Sequence, residues 1–376
     1  MSRRRPLTLC VRTWNVGATP PPSGGLESWI MPSETGDVYA IGLQEVVDIN
    51  TPITYLRPSL LWPNSGLPLE DLPGEAASWQ RAIAHFLPGY SLVAHNVLVG
   101  MLLFVFVRDE HEPFCSARVA ALGTGPLGAG NKGAVAASIR LYGSTLCIVS
   151  SHLAAGATGV RARNSEVASL QEQLTFTDPS EAISPNGLPL PPRSIGDHEF
   201  VVWFGDLNYR ISLPDVEVRE LLEVGDCDAL ARLAVHDELL AERTAGRVFN
   251  GFVEDSLAFL PTYKYDMGCD VYDTSRKRRA PAWTDRVVWR GSEHVRCLNY
   301  SRVDALRTSD HRPVVASLEL SVVTHSTLTG RSFPDASILP SSMANDASEC
   351  LIQGLKSCLA HCWPGFGAGS QGYQRL

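Results

Sequence analysis

The sequence lacks any Cys-x-x-Cys pair, and its nine cysteines are scattered from Cys10 to Cys362. This spacing indicates neither a zinc site nor a disulfide framework, so we expect reduced thiols in an intracellular protein. Long apolar runs are also missing, since the longest, residues 101–107, is far too short to cross a bilayer. No apolar segment of signal-peptide length follows the basic N-terminus. These absences predict a cytoplasmic location.

An excess of basic residues is missing too, because 32 lysines and arginines face 40 aspartates and glutamates, for a net charge of −8. A protein whose whole surface binds nucleic acid or an acidic membrane is not expected to be acidic, so we expect no nucleic-acid partner. An anionic ligand would therefore be bound by a local group of cations. The dinucleotide-binding, P-loop and Gly-x-Ser-x-Gly motifs are absent, so none of those chemistries is indicated.

The sequence does contain a series of apolar segments separated by polar loops. Apolar alternation and short continuous apolar runs predict strands, and helical spacing of apolar residues predicts helices. The predicted strands cover residues 7–14, 38–43, 90–94, 101–107, 114–122, 134–141, 145–150, 200–204, 282–289, 295–302 and 313–322. The predicted helices cover residues 76–87, 160–174, 216–224 and 227–243.

Polar side chains follow the ends of several predicted strands. After the apolar run 200–204, the segment 205–210 reads Gly-Asp-Leu-Asn-Tyr-Arg and delivers an acid, an amide, a phenol and a guanidinium into a loop. Strand ends are where α/β folds place their chemistry, although a single such residue can simply form a turn or face solvent. Coincidence is the poorer explanation for a whole set, which comprises Asn15, Glu45, His152, Asp206, Asn208, Asp310 and His311.

This set of side chains suits metal-assisted hydrolysis of a phosphoester. Mg²⁺ prefers oxygen ligands and keeps several waters, so Glu45 and Asn15 can suffice to bind it. The attacking water needs a base, and Asp206 has the chemistry for that role.

The charge that develops on phosphorus requires hydrogen-bond donors. Asn208, His152 and His311 can supply them. A donor histidine is most useful when protonated, so a carboxylate should hold it. Either Asp285 or Asp310 could do so, and the sequence does not choose between them.

A basic cluster between residues 264 and 286 indicates the kind of phosphate compound. Lys264 lies between Tyr263 and Tyr265, and a cation flanked by hydroxyls is suited to binding phosphate. Residues 276–279 could equally form a solvated loop. The cluster predicts a substrate with several phosphates and consists of Lys264, Arg276, Lys277, Arg278, Arg279 and Arg286.

Together, these motifs resemble the catalytic domain of the inositol polyphosphate 5-phosphatases, over about residues 6–322. The Gly-Asp-Leu-Asn-Tyr-Arg and Pro-Ala-Trp-x-Asp-Arg signatures are highly specific. In chain order the matching motifs are Trp14-Asn15-Val16, Leu43-Gln44-Glu45, Asn131-Lys132-Gly133, Ser151-His152-Leu153, residues 205–210, 261–266 and 281–286, and Ser309-Asp310-His311-Arg312-Pro313.

The resemblance implies a DNase I-like four-layer α/β sandwich of two mainly antiparallel sheets flanked by helices. It also implies Mg²⁺-dependent removal of the 5-phosphate from phosphoinositides, soluble inositol polyphosphates or both. The implied catalytic residues are Asp206 as base, Asn208 as transition-state donor, His311 oriented by Asp285, His152, and Asp310 beside the metal, with Glu45 and Asn15 on the metal. The implied substrate contacts are Asn131, Lys132, Tyr209, Arg210, Tyr263, Lys264, Lys277 and Arg279.

Two other functions remain open at this point. A DNase I-like nuclease would carry much the same metal and histidine set, but it needs a broad basic face for a duplex, which an acidic chain with one compact basic cluster does not offer. An inactive phosphoinositide-binding module is the second, and the complete catalytic set weighs against it. Such a module would bind the lipid and release no phosphate.

From residue 323 the composition changes to Ser, Thr, Pro and Asp, which predicts a linker and tail over residues 323–376. A short amphipathic helix is expected near residues 348–363. Cys358 and Cys362 lie one turn apart on its apolar face, and either they are acylated and anchor the enzyme to a membrane or the helix packs on the domain. We expect a monomeric catalytic domain that acts at a peripheral membrane surface.

Overall fold

The predicted strands assemble into two large sheets. The computed structural model describes residues 3–31, 35–48, 69–72, 74–156, 158–176 and 193–324. The chain divides into two units, Met1–Thr329 and Gly330–Leu376, and every described residue lies in the first. The predicted tail helix near residues 348–363 lies outside the described residues. No helix in the described ranges combines the length and the apolar character needed to span a membrane.

The described residues form thirteen strands, and the predicted strands all appear among them. In chain order they are β1 (Arg3–Asn15), β2 (Val38–Gln44), β3 (Tyr90–Leu98), β4 (Met101–Arg108), β5 (Cys115–Gly123), β6 (Gly133–Leu141), β7 (Ser144–His152), β8 (Thr175–Phe176), β9 (Arg193–Ser194), β10 (Phe200–Asp206), β11 (Asp285–Arg290), β12 (Val295–Arg302) and β13 (Val314–Thr324).

The helices of the described ranges differ from the prediction at two places. The short helix Glu27–Ile30 was not predicted. The predicted helix 227–243 is two helices, because Asp237 has an extended backbone and its side chain accepts a hydrogen bond from the N–H of Leu240 at 2.8 Å. Asp237 thus ends one helix and caps the next. The helices are α1 (Glu27–Ile30), α2 (Gly74–Ala84), α3 (Val160–Gln173), α4 (Asp215–Val224), α5 (Cys227–Val235) and α6 (Glu238–Thr244).

Eleven of these strands form two large sheets. The six-stranded sheet has the order β12-β13-β1-β2-β4-β3, and the five-stranded sheet has the order β11-β10-β7-β6-β5. Neighbouring strands are antiparallel except for β1 with β2 and β7 with β10. The two parallel pairs each bring two carboxyl ends side by side, and these four ends carry the predicted catalytic motifs.

The core lies in three layers of apolar contact. The inner faces of the two sheets pack on each other. The outer face of the six-stranded sheet packs on α1 and α2, where Trp14, Trp29 and Trp79 meet, and the outer face of the five-stranded sheet packs on α3 and α6. The predicted four-layer architecture is therefore confirmed.

The sheets approach each other closely beside the ends of β2, β7 and β10. A Cβ on Gly42 would lie 2.3 Å from Oγ of Ser150 and 2.6 Å from the ring of Phe204 in the facing sheet. Only glycine fits this contact without displacing its neighbours. The close approach allows side chains from both sheets to share one site.

Candidate active site

Neighbouring strand ends bring the predicted catalytic residues together. Asp206 ends β10 and pairs in register with His152 at the end of β7 and with Asp285 at the start of β11. In the facing sheet, Asn15 ends β1 and Glu45 directly follows β2. Residues that are far apart in sequence therefore meet at one edge of the sandwich.

Asp206 is the centre of this group and is 1% exposed. Its Oδ2 accepts a hydrogen bond from Nδ2 of Asn15 at 2.9 Å and lies 3.3 Å from Nε2 of His152. Its Oδ1 accepts a hydrogen bond from the backbone N–H of Asn208 at 3.1 Å. The carboxylate thus joins the two sheets and is held from three directions.

The protonation of Asp206 is determined by a competition between burial and charge. Burial alone would raise its pKa, but the charge and hydrogen bond of His152, together with the charges of His311 and Lys132, lower the pKa well below its usual range. Asp206 is therefore an ionised acceptor near neutral pH.

His311 is held by Asp285, which settles the open choice between the two aspartates. Nδ1 of His311 lies 2.9 Å from Oδ2 of Asp285, and the same oxygen accepts hydrogen bonds from the hydroxyls of Thr262 at 2.6 Å and Thr284 at 2.9 Å. Asp310 instead forms an ion pair with Lys264. In the described part of the chain, no hydrogen bond reaches Nε2 of His311, so this nitrogen remains available to a ligand.

His311 is protonated in this environment. Burial would lower its pKa, but the charge and hydrogen bond of Asp285, followed by the charge of Asp206, raise the pKa to about 10. The ring is therefore an imidazolium that can donate a hydrogen bond from Nε2.

Lys132 and Glu45 also lie beside Nε2 of His152. Gly133 at the start of β6 pairs with His152, which places the preceding Lys132 so that its Nζ contacts Nε2 of the histidine. Oε1 of Glu45 lies 3.7 Å from the same nitrogen, and Glu45 has a left-handed backbone with φ of 53°. Burial lowers the pKa of Lys132, although the carboxylates of Asp206 and Glu45 oppose the shift.

Asn208 has both ends of its amide engaged. Nδ2 donates to the carbonyl of Leu153 at 2.9 Å, and Oδ1 accepts from Nη2 of Arg210 at 2.6 Å. The Arg210 guanidinium lies 4.4 Å from the ring centroid of Tyr263, and that ring lies 4.7 Å from the ring of His311. The predicted contacts Arg210 and Tyr263 therefore adjoin the catalytic group.

Lys264 connects this group to the loop that carries the predicted substrate contacts Lys277 and Arg279. Its Nζ forms an ion pair with Asp310, whose pKa is lowered because the charges of His311 and Lys264 outweigh burial. The backbone N–H of Asp273 donates to the carbonyl of Lys264 at 2.8 Å, and the Asp273 carboxylate accepts from the N–H of Arg279 at 2.8 Å. Lys277 lies in the loop that Asp273 closes, and it is exposed.

Asn131 precedes Lys132 in the glycine-rich loop between β5 and β6. Its Oδ1 is buried and has no hydrogen-bond partner in the described ranges. A Cβ on Gly125 would lie 2.2 Å from that oxygen. Any larger residue at position 125 would therefore clash with the Asn131 amide in this loop conformation.

Two residues that the sequence placed at the site lie elsewhere. Arg286 is 0% exposed and binds Asp237 at 2.8 Å and Glu254 at 2.7 Å, so it cannot contribute a free cation to the basic cluster. Tyr209 is also 0% exposed, and its hydroxyl donates to Asn164 at 2.7 Å. Both side chains support the fold rather than line the site, which corrects the prediction for these positions.

The sequence matches the model of endonuclease/exonuclease/phosphatase family 2 over residues 12–317. The chain belongs to this family. It is 35% identical to human synaptojanin-1 over 379 residues, an alignment that covers 85% of this chain and 22% of the relative. It is also 36% identical to the mouse type II inositol 1,4,5-trisphosphate 5-phosphatase over 321 residues, which covers 83% of this chain and 29% of the relative. This chain therefore matches less than a third of the length of either relative.

A solved structure confirms the predicted fold. The inositol polyphosphate 5-phosphatase domain of SPsynaptojanin, in complex with inositol (1,4)-bisphosphate and calcium ion, superposes with a TM-score of 0.71 and 33% identity. The match covers 86% of this chain and 87% of that domain. The predicted resemblance to the inositol polyphosphate 5-phosphatase catalytic domain and its DNase I-like sandwich is thereby confirmed.

A metal site in this 5-phosphatase domain was predicted at Glu45 and Asn15. The Glu45 side chain is 30% exposed, and the amide oxygen of Asn15 accepts a hydrogen bond from the N–H of Gly17 at 3.1 Å. A carboxylate and an amide oxygen are ligands that suit a hard divalent cation, so the residues present fit such an ion.

A second arrangement of possible ligands occurs in the same site. Ligand atoms of Asp206, Asp285 and His311 all lie within 4.8 Å of one another. Asp285 and His311 form an ion pair, because they are hydrogen-bonded and the pKa of the histidine is raised. A metal ligand must instead be a neutral imidazole, so this arrangement is the poorer metal site.

Two charged residues, Arg163 and Glu238, were not identified from the sequence, and they bind the segments carrying the site residues. Arg163 on α3 is 0% exposed, and Glu238 on α6 accepts its hydrogen bond at 2.6 Å. A signal for Arg163 was present, because it shares helical spacing with the apolar Val167, Leu170 and Leu174. An arginine in the middle of an apolar face needs a buried acidic partner.

Proposed function

We propose that this domain is a Mg²⁺-dependent phosphatase that removes the 5-phosphate of phosphoinositides, such as PtdIns(4,5)P2 and PtdIns(3,4,5)P3, or of soluble inositol polyphosphates. The observation that carries the proposal is the ionised Asp206 beside an imidazolium, His311, that Asp285 holds. The SPsynaptojanin domain holds inositol (1,4)-bisphosphate. That compound is what remains when the 1,4,5-trisphosphate loses its 5-phosphate.

Asp206 orients the attacking water and accepts its proton. A carboxylate with a low pKa is a weak base, but that pKa is low because cations surround it. A bound phosphate dianion would neutralise those cations and raise the pKa of Asp206 towards a value that suits proton transfer. Substrate binding thus makes the carboxylate a better base.

The donors stabilise the charge that grows on the phosphoryl oxygens. His311 donates from Nε2, and its proton is secured by Asp285. Asn208 keeps a second Nδ2 hydrogen beyond the one that it donates to Leu153. Preorganised donors of this kind typically contribute about 10²–10³-fold each to the rate. His152 lies 3.3 Å from Asp206, and Lys132 contacts His152.

The divalent cation would be held by Glu45 and Asn15, with Asp310 nearby. When bound, it supplies Lewis-acid stabilisation of phosphoryl and leaving-group oxygens. In addition, Asn15 donates from Nδ2 to Asp206 at 2.9 Å, so it orients the base as well. Removal of Asn15 is therefore expected to disturb the base and the metal together.

The remaining cations bind the phosphates that are not cleaved. Lys264 lies beside Asp310, and the loop with Lys277 and Arg279 is fixed to it by Asp273. A local group of cations in a chain of net charge −8 fits a small, multiply charged headgroup better than a duplex. A phosphoinositide would be met at the surface of a membrane, which is the partner that we propose for the lipid substrates.

The test is position-specific phosphate release by the full chain in Mg²⁺. The substrates are a 4,5-bisphosphorylated lipid, a 3,4,5-trisphosphorylated lipid and the soluble 1,4,5-trisphosphate. Release from position 5 that disappears in Asp206→Ala is expected. The matched control is Asp228→Ala, because Asp228 is an exposed aspartate on α5.

Absence of release from all three substrates by folded protein would contradict the proposal. Lipid binding without release would then indicate an inactive binding module. Nicking of plasmid DNA that depends on Asp206 would indicate a nuclease.

A further inference from the structure

Glu238, the first residue of α6, holds the segment that follows β10. Its Oε2 accepts a hydrogen bond from the backbone N–H of Arg210 at 2.9 Å, and its own N–H donates to the carbonyl of Arg210 at 2.8 Å. Both backbone groups of Arg210 are thus bound by one residue of a helix that contributes no side chain to the proposed chemistry.

The same carboxylate also holds the segment that follows β7. Oε2 of Glu238 accepts from Nη2 of Arg163 at 2.6 Å. Nη1 of Arg163 donates to the carbonyls of Ala154 at 3.2 Å and Gly156 at 2.8 Å. One carboxylate oxygen therefore joins the two segments that leave β7 and β10 at the catalytic edge.

Both anchors of the Asn208 amide lie in these two segments. A guanidinium has only donors, so the Arg210 contact at 2.6 Å fixes which end of the amide is Oδ1. Nδ2 then points to the carbonyl of Leu153 at 2.9 Å. If the segments separate, Asn208 loses one or both anchors and its second Nδ2 hydrogen changes direction.

We propose that Glu238 is a positioning residue that aligns the Asn208 amide for attack on phosphorus. It touches no reacting group and acts through Arg210 and Arg163. The inference rests on the proposed phosphatase function and deepens it, because it assigns to α6 the alignment of a transition-state donor.

A purely structural role must be separated from this one. The Glu238 side chain is 13% exposed and its Arg163 partner is 0% exposed, so its removal leaves a buried cation without compensation and lowers stability. Loss of stability alone is therefore uninformative. The informative measurement is how kcat depends on Glu238 when Asn208 is present and when it is absent.

The experiment uses the full chain, saturating Mg²⁺ and the soluble 1,4,5-trisphosphate. We expect Glu238→Ala to lower kcat about 10- to 100-fold with little change in KM, since a small misalignment of a catalytic group costs rate more than binding. Glu238→Gln should recover most of kcat, because its amide oxygen can still accept from Arg210. His111→Gln, a buried change at the opposite end of the sandwich, serves as the control for lost stability.

A double-mutant cycle with Asn208→Ala decides the matter. If Glu238 acts through Asn208, adding Glu238→Ala to Asn208→Ala should cost almost no further kcat. An equal loss in both backgrounds, or an unchanged kcat in Glu238→Ala, would overturn the inference while leaving the phosphatase function intact. A wild-type chain that releases no phosphate would instead remove the proposed function.

A spectroscopic reading is independent of activity. The side-chain amide resonances of Asn208, assigned by their loss in Asn208→Ala, should shift in Glu238→Ala and return in Glu238→Gln. Unchanged resonances in Glu238→Ala would overturn the positioning role whatever reaction the domain performs.

Discussion

Two buried histidines occupy opposite ends of the same sandwich, and each is bound to an aspartate. At the catalytic end, His311 lies 2.9 Å from Asp285. At the other end, Nε2 of His111 lies 3.1 Å from Asp37, which precedes β2, whereas Glu45 follows that strand. Ligand atoms of each histidine and two neighbouring carboxylates lie within 4.8 Å of one another.

The two ends differ in whether both ring nitrogens of the histidine are paired. Nδ1 of His111 lies 2.8 Å from the hydroxyl of Tyr142, and Oδ2 of Asp37 accepts from the N–H of Thr8 at 2.8 Å. Arg108 adds a cation 3.7 Å from Asp37. His311, by contrast, keeps one nitrogen without a partner among the described residues. Similar side chains thus stabilise the fold where both ring nitrogens of the histidine are paired and can bind a ligand where one nitrogen is left over.

The largest loss of activity is expected from Asp206→Asn. The change keeps the shape of the side chain but removes the acceptor charge that we assign to the base. We expect kcat to fall about 10³-fold, within the usual range for a general base. Position-specific phosphate release at saturating substrate measures it, with circular dichroism as the check on folding. A variant that keeps a tenth or more of the wild-type kcat would exclude the base role for Asp206.

A smaller loss with a distinct pH dependence is expected from Asp285→Asn. In the wild type, Asp285 is the main reason that the pKa of His311 rises to about 10. Without that charge, burial favours the neutral ring, so the alkaline limb of kcat/KM should move down by several pH units. At roughly pH 8.5 we expect about a 10²-fold loss. A profile from about pH 5.5 to about pH 10 tests the shift.

The same ion pair predicts how stability changes with pH. The pKa of His311 is about 10 in the folded state and about 6.5 when unfolded, so the stabilisation is complete below about pH 6.5 and is lost as pH rises through about 10. In Asp285→Asn this alkaline loss should be absent. Urea unfolding at several pH values measures it, and an unchanged slope in the variant would refute the assignment.

A glutamate lies near a histidine at each end of the sandwich, and we expect only one of the two to bind the metal. Oε1 of Glu45 lies 3.7 Å from His152, and Oε1 of Glu110 lies 3.5 Å from His111. If Glu45 binds the divalent cation, Glu45→Gln should raise the Mg²⁺ concentration for half-maximal activity about 10-fold or more, whereas Glu110→Gln should leave it unchanged. Mg²⁺ titrations of phosphate release compare the two variants. Equal behaviour would place the metal elsewhere.

Much of the site was predictable because catalytic side chains follow strand ends. Asp206, His152 and Glu45 could be assigned since a buried apolar run stops just before each of them. The direction of the Arg286 side chain could also have been predicted from the sequence. Side chains on a strand alternate between faces, so if Asp285 faces the site, Arg286 must face away from it.

The supporting contacts could not be read from the sequence in the same way. The helix break at Asp237 depends on a side chain that binds the distant Arg286 and also caps α6, and no local pattern shows that partner. Glu238 looks like an ordinary acidic residue in the first turn of a helix. Its role depends on Arg163, 75 positions away in the chain. Long-range polar pairing is set by the tertiary fold, whereas apolar periodicity is local.

The smallest effect on activity is expected from His111→Gln. This variant tests whether the His111 end of the sandwich contributes to stability alone. The change removes a ring that joins Asp37 before β2 to Tyr142 before β7. Because these partners would lose hydrogen bonds in a buried place, the free energy of unfolding should fall by about 1–3 kcal/mol.

Phosphate release should keep its kcat, KM and pH profile, since this group lies at the far ends of β2 and β7 from Glu45 and His152. Chemical denaturation and steady-state kinetics measure the two effects separately. A large loss of kcat in a folded His111→Gln protein would mean that the two ends are coupled through these strands, and the pairing of both His111 ring nitrogens would then have a role beyond stability.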